Sequence, residues 1–130
     1  MKFTIALFGP PYSPASRRAL RFAEATLAGG HEIVRLFLYG DGVYSASANQ
    51  VAPQDEQDLA AQWREFIARH QLDGVVCIAA ALRRGVLDEQ EASRYGRPGA
   101  SLGEGWELSG LGQLHEAAQN AGRLVCFGDH

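Results

Sequence analysis

The chain has 130 residues, of which 46% are hydrophobic and 21% are charged, so it is long enough to bury a core as one domain over residues 1–130. Its net charge of −3 disfavours direct binding of nucleic acid, and its two cysteines are too few for a disulfide scaffold. No apolar run approaches the ~20 residues that a membrane span needs. We therefore expect a cytoplasmic protein whose thiols stay reduced.

The first part of the sequence alternates short apolar runs with an amphipathic segment. Residues 2–8 predict a strand, which the turn sequence GPPYSP ends. From residue 15, apolar side chains at helical spacing predict a helix, and a Gly-Gly pair ends it. Residues 31–39 predict a second strand, and residues 40–54 are polar and rich in turn-forming residues.

The second part begins with a longer amphipathic segment. Residues 54–70 carry an apolar stripe at helical spacing, which predicts a second helix, and the apolar run over residues 72–80 predicts a third strand that contains Cys77. Ser109 is a predicted helix N-cap. The later elements are shorter: a helix over 88–96, a loop over 96–105, an extended piece over 106–108, a helix over 109–122 and a strand over 123–127.

The predicted strands are nearly continuous apolar runs, which is typical of parallel strands covered by helices on both faces. The order of elements predicts an α/β fold, a small doubly wound three-layer sandwich with a mostly parallel sheet of about four to five strands. In such folds the binding and catalytic residues lie at the carboxyl ends of the strands. No phosphate-binding loop follows a strand and the histidines lack metal-ligand spacing, so we expect neither a cofactor nor a metal.

The cysteines are the residues most able to carry chemistry. Cys77 lies late in the third predicted strand, and Arg83 and Arg84 follow it closely. Nearby cations favour the reactive thiolate, but a cysteine in an apolar run is also a common core residue, so both interpretations stay open. Cys126, in the last predicted strand, is expected to pack in the core. Asp41, after the second strand, is more simply a turn residue than a catalytic carboxylate.

A family resemblance is carried by three segments in order. VVCIAAALRRGVLDEQEASRYG around Cys77 resembles the DsrE/TusD family of sulfur-relay proteins, in which small residues and an RRG element follow the reactive cysteine. FLYGDGVYSA after the second predicted strand and SGLGQLHEAA in the last predicted helix resemble further segments of that family. The likeness extends over almost the whole chain, and CIAAALRRGV and DGVYSA are more similar to the TusD branch than to the DsrE branch.

The resemblance implies a sulfurtransferase in which Cys77 carries sulfur as a persulfide. It further implies a heterohexamer with TusB- and TusC-like subunits, a TusA-like sulfur donor and a TusE-like acceptor, acting in 2-thiolation of the tRNA wobble uridine. Arg83 and Arg84 then have three open roles: stabilising the thiolate or persulfide, docking an acidic partner, or carrying solvated charge. The alternatives are a DsrE-like subunit of a sulfur-oxidation relay, a non-catalytic scaffold with a buried Cys77, and a flavin-binding module.

Overall fold

The computed structural model describes residues 1–120 and 122–128, in which five strands alternate with helices. The strands are β1 (Lys2–Leu7), β2 (Glu32–Leu38), β3 (Gly74–Cys77), β4 (Trp106–Ser109) and β5 (Arg123–Phe127). The helices are α1 (Pro14–Ala28), α2 (Leu59–His70), α3 (Ile78–Arg83), α4 (Glu89–Arg94) and α5 (Leu111–Asn120), with a 3₁₀ helix over Gly40–Ala46.

The strands form one sheet in the order β4-β3-β2-β1-β5, and every neighbouring pair is parallel. The chain therefore moves in one direction from β1 to β4, and α5 then carries it back to the other side of β1. Because connections between parallel strands are right-handed, this reversal puts α1 and α2 on one face of the sheet and α5 on the other. The predicted doubly wound α/β class is confirmed.

Side-chain contacts show the three layers directly. The ring of Phe22 in α1 lies 5.6 Å from the ring of Phe127 in β5, on one face of the sheet. On the other face, the Thr4 hydroxyl in β1 donates a hydrogen bond to the Ala117 carbonyl oxygen in α5 at 3.2 Å. The sheet is thus enclosed between helices, which is why most side chains of its inner strands are apolar.

The first helix begins as its sequence predicts, and it packs against the second. Ser13 is the N-cap residue of α1, and its hydroxyl accepts the N–H of Ser16, while Pro14 takes the first helical position, where no N–H is needed. The Trp63 indole in α2 is 1% exposed and donates to the Ser16 hydroxyl at 3.3 Å. This hydrogen bond satisfies the buried indole and joins α1 to α2.

The start of the second helix and the end of the third strand differ from the predictions. The helix predicted over 54–70 begins only at Leu59, because the Asp58 carboxylate caps it by accepting the Ala61 N–H at 3.0 Å. The strand predicted over 72–80 ends at Cys77, and the next residues form α3. Alanine, leucine and arginine are strong helix formers, so this apolar run changes from strand to helix at the cysteine.

The last helix also begins later than predicted. Ser109 is still paired with β3 as the final residue of β4, so it is not the N-cap residue, and α5 begins at Leu111. Residue 121, within the helix predicted over 109–122, lies outside the described residues, as do Asp129 and His130.

Candidate active site

Cys77 stands at the carboxyl edge of the sheet, where parallel α/β folds place their chemistry. It is the last residue of β3 and the N-cap residue of α3. β3 is an inner strand between β2 and β4, and Cys77 is the register partner of Ser109. The residue is 3% exposed and belongs to the hydrophobic core. The thiol is therefore at the expected edge but enclosed.

The segments next to Cys77 differ in their burial. Ala80 and Ala81 of α3 are buried, and the 3₁₀ helix packs against both β3 and α3. Ser109, in the edge strand beside Cys77, is half-buried, and Gly110 after it is exposed. A thiol from another molecule therefore reaches the Cys77 sulfur only when neighbouring groups move.

Arg83 and Arg84 lie at the opposite end of α3 from Cys77. Because a helix rises about 1.5 Å per residue, roughly 10 Å of helix separates Arg84 from the cysteine. The Arg84 Nε donates to Asp41 Oδ1 at 2.9 Å, and its Nη1 donates to the Ala80 carbonyl oxygen at 3.0 Å. Arg84 is thus held by a carboxylate, whereas Arg83 is exposed. The structure gives the two arginines different surroundings, which the sequence pattern does not distinguish.

The Asp41–Arg84 ion pair joins the 3₁₀ helix to the end of α3. Its side chains are 58% and 23% exposed, respectively, so it is a surface pair. The prediction of a turn role for Asp41 omitted this partner, which lies 43 residues further along the chain. The 3₁₀ helix is itself pressed against β1, since a side chain at Gly42 would collide with the Leu7 carbonyl oxygen. Together these contacts fix α3, and with it the backbone that follows Cys77.

Cys126 lies on the same face of the sheet as Cys77. Its register partner is Ala6, whose partner in β2 is Phe37, and Phe37 in turn pairs with Val75. Register partners share a face of the sheet, so Val75 lies on the same face as Cys126. Residues two apart in a strand also share a face, so Cys77 lies on that face too.

Cys126 differs from Cys77 in its exposure. The prediction that it packs in the core is wrong, because Cys126 is exposed and its strand neighbour Leu124 is 43% exposed. β5 is an edge strand with a partner on one side only. Partial burial still raises the pKa of the Cys126 thiol above its ordinary value, since desolvation disfavours the thiolate. At neutral pH this cysteine is therefore a weaker nucleophile than a fully solvated one.

The family of the chain follows from sequence comparison. Residues 1–127 match the model of the DsrE/DsrF-like family. The chain belongs to this family. The resemblance carried by the segments around Cys77 is thereby confirmed.

Among relatives in the DsrE/DsrF-like family, the chain is 77% identical over 128 residues to a "Sulfurtransferase TusD homolog" of Pseudomonas aeruginosa, with 98% of each chain covered. It is 47% identical to the "Putative sulfurtransferase DsrE" of Allochromatium vinosum, covering 99% of this chain and 100% of that one. It is 46% identical to the "Sulfurtransferase TusD" of Cronobacter sakazakii, covering 98% and 100%. The DsrE/DsrF-like chain is a sulfurtransferase.

A solved structure supports the fold. The crystal structure of the YchN protein from E. coli matches with a TM-score of 0.79, covering 98% of this chain and 99% of that one. The sequence identity is 23%, so this match shows the fold of the DsrE/DsrF-like chain and nothing of its activity. Within residues 1–120 and 122–128, no helix is both long and apolar enough to cross a membrane.

Proposed function

We propose that the chain relays sulfur as a persulfide on Cys77. The observation that carries this proposal is the position of Cys77 at the carboxyl edge of an inner strand, in a chain 77% identical to a TusD homologue. The other cysteine, Cys126, lies in the edge strand β5, and its thiol has a raised pKa. Cys77 is therefore the residue we assign to sulfur transfer.

The chemistry is two thiol exchanges at sulfur. The Cys77 thiolate attacks the outer sulfur of a donor persulfide, the donor S–S bond breaks, and the donor leaves as a thiolate. The product is Cys77 with one added sulfur. An acceptor thiolate then attacks that outer sulfur, the new S–S bond breaks, and the Cys77 thiolate is restored. No electrons are gained or lost overall, so the relay needs no cofactor.

Because Cys77 is buried, the relay requires a partner that opens the structure around the thiol. A thiol that is 3% exposed is protected from small oxidants and from unselective exchange. Both exchanges then require local movement around the sulfur, and a specific partner supplies the binding free energy for that movement. Burial in the isolated chain is thus compatible with transfer between defined proteins.

The partners we propose follow the TusD likeness. TusB- and TusC-like subunits would complete a heterohexamer, a TusA-like carrier would donate sulfur and a TusE-like protein would accept it. The destination is 2-thiouridine at the wobble position of tRNA, in the cytoplasm. The net charge of −3 supports a role among proteins, with the tRNA bound elsewhere in the pathway.

A second candidate is a sulfur-oxidation relay. It is favoured by the 47% identity to the "Putative sulfurtransferase DsrE" of Allochromatium vinosum, which covers the full length of both chains to within 1%. The chemistry at Cys77 is the same in both pathways, and only the acceptor differs. Genes for sulfite reductase beside this one would favour oxidation, whereas other tRNA-thiolation genes would favour the first proposal.

The test is sulfur transfer from a persulfide-loaded carrier protein to the chain, followed by intact mass and peptide mapping. We expect the wild type and Cys126→Ser to gain the mass of one sulfur atom on Cys77 and to pass it to an acceptor thiol. Cys77→Ser should do neither while keeping the thermal midpoint of the wild type to within a few degrees. Sulfur relayed at the wild-type rate by Cys77→Ser would refute the proposal. Absence of sulfur from both cysteines would favour the scaffold alternative.

A further inference from the structure

A groove of about 830 Å³ opens beside the far end of α3 from Cys77. We call it the arginine groove, and six of the residues that line it carry the argument: Leu82, Arg83, Leu87, Tyr95, Arg97 and Pro98. Its walls are mostly apolar, Tyr95 is 50% exposed, and two guanidinium groups stand among them. An exposed apolar groove with a few charged groups is typical of a binding surface.

The charge of the arginine groove is opposite to that of the chain. The net charge is −3, yet the residues described as lining the groove include two arginines and no carboxylate. Within the described part of the chain, Arg83 makes no ion pair, in contrast to Arg84, which is bound to Asp41. A local positive site on a negative protein favours a carboxylate-bearing ligand over a generally basic one.

The groove is built before any ligand arrives. The Ser101 hydroxyl donates to the Gly85 carbonyl oxygen at 2.6 Å and accepts the Leu87 N–H at 3.0 Å. The Ser101 N–H also donates to the Leu87 carbonyl oxygen at 2.8 Å, and Arg97 donates to the Tyr95 carbonyl oxygen at 2.9 Å. The Ser101 bonds hold the loop after α4 against the segment that follows α3, and the Arg97 bond lies within the loop. A preformed site loses less entropy on binding.

The position of the groove relates it to Cys77. α3 begins directly after the cysteine and ends at Arg83, so about 10 Å of helix separates the Cys77 backbone from the groove. An extended peptide spans that distance in about three residues. A segment with a cysteine at the β3 end of α3 can therefore place a carboxylate about three residues away against Arg83.

We propose that the arginine groove docks an extended, carboxylate-bearing segment of the protein that exchanges sulfur with Cys77. The carboxylate binds Arg83 and Arg97, and the apolar side chains beside it pack on Leu82, Pro98 and the Tyr95 ring. The link to sulfur exchange rests on the proposed function of Cys77, but the groove itself does not. The mostly apolar walls favour a protein segment over the phosphates of RNA.

The experiment measures binding apart from transfer. Two fluorescein-labelled peptides, each with one cysteine, carry either glutamate or glutamine three residues from it. Their affinities are measured by fluorescence anisotropy on the full chain with both Cys77→Ser and Cys126→Ser, so that no thiol of the chain can exchange with the peptide cysteine. We expect the glutamate peptide to bind roughly fivefold more tightly than the glutamine peptide, as two partly exposed charge contacts provide, and to lose that advantage in high salt.

Substitution of the two arginines is the decisive comparison. Arg83→Gln with Arg97→Gln should remove the glutamate advantage and leave the glutamine peptide unchanged. Arg17→Gln with Arg21→Gln, two exposed arginines on α1 that do not line the groove, removes the same charge and should change neither affinity.

Four results would overturn the docking proposal. The first three are no detectable binding of the glutamate peptide, equal loss of affinity in both double variants, and tighter binding of a single-stranded RNA oligomer that also depends on Arg83. A fall in the native mass of the chain when Arg83 and Arg97 are replaced would assign the groove to a second copy and would also overturn it. If the peptides bind as expected but Cys77 relays no sulfur, the proposed function fails and the groove stands.

Discussion

Two strands of one sheet, β3 and β5, carry cysteines in nearly the same local sequence, VVC and LVC, on the same face. All four residues of β3 are buried, whereas no residue of β5 reaches that level. The difference arises because β3 has a neighbour on each side and β5 has only β1. It teaches that strand order, which local sequence does not encode, decides whether such a thiol is enclosed.

The largest contrast is expected in alkylation of the native protein by iodoacetamide. Cys126 should react at least about tenfold faster than Cys77, because Cys77 reacts only from locally opened states and each 1.4 kcal/mol of opening free energy slows the reaction about tenfold. Peptide mass spectrometry over time gives both rates. The two rates should converge in denaturant, and equal rates in the native protein would contradict the burial of Cys77.

The strands should also differ in their contributions to stability. Val76→Ala in β3 removes a fully buried side chain and should lower the free energy of unfolding by about 2 kcal/mol, from lost apolar burial and the cavity left behind. Val125→Ala, in the half-buried position of β5, should lower it by about 1 kcal/mol or less. Urea unfolding measures both, and equal losses would show that β5 is covered in solution.

The Asp41–Arg84 ion pair, beyond the end of β3, is expected to contribute less to stability than Val76. Asp41→Asn breaks the ion pair with Arg84 and should lower the free energy of unfolding by at most about 1 kcal/mol, because both groups are partly exposed. A double-mutant cycle with Arg84→Gln isolates the pair at low and high salt. A coupling energy of zero at low salt would mean that the pair does not hold α3.

The smallest effect concerns the pH dependence of Cys126. In the Cys77→Ser variant, Cys126 is the sole thiol, and its raised pKa means that it keeps its proton to higher pH when folded than when unfolded. At neutral pH its alkylation should therefore be a few-fold slower in the folded protein than in denaturant. The difference should shrink as the pH rises past the folded pKa. If Cys126 reacted faster in the folded protein than in denaturant at neutral pH, the raised pKa would be contradicted.

Several features could be predicted from the sequence because they are local. Apolar runs and helical spacing predicted the strands, the longer helices and the parallel sheet, and the motifs around Cys77 predicted the family. The boundary at Cys77 was missed because an apolar run of small residues fits both a strand and a helix. The sequence predicts a loop over 96–105 but not the arginine groove, for which the Arg-Tyr-Gly-Arg sequence at 94–97 was the available signal.

The sequence by itself determined the α/β class, a cysteine late in the third strand and the family with its sulfurtransferase activity. Only the tertiary structure decided that Cys77 is enclosed while Cys126 is exposed, that Arg84 pairs with Asp41, and that Arg83 shares a groove with Arg97. Spacing along the chain specifies which residues lie near one another within an element. Burial and charge pairing depend on which strands and loops become neighbours, and those contacts join residues far apart in the sequence.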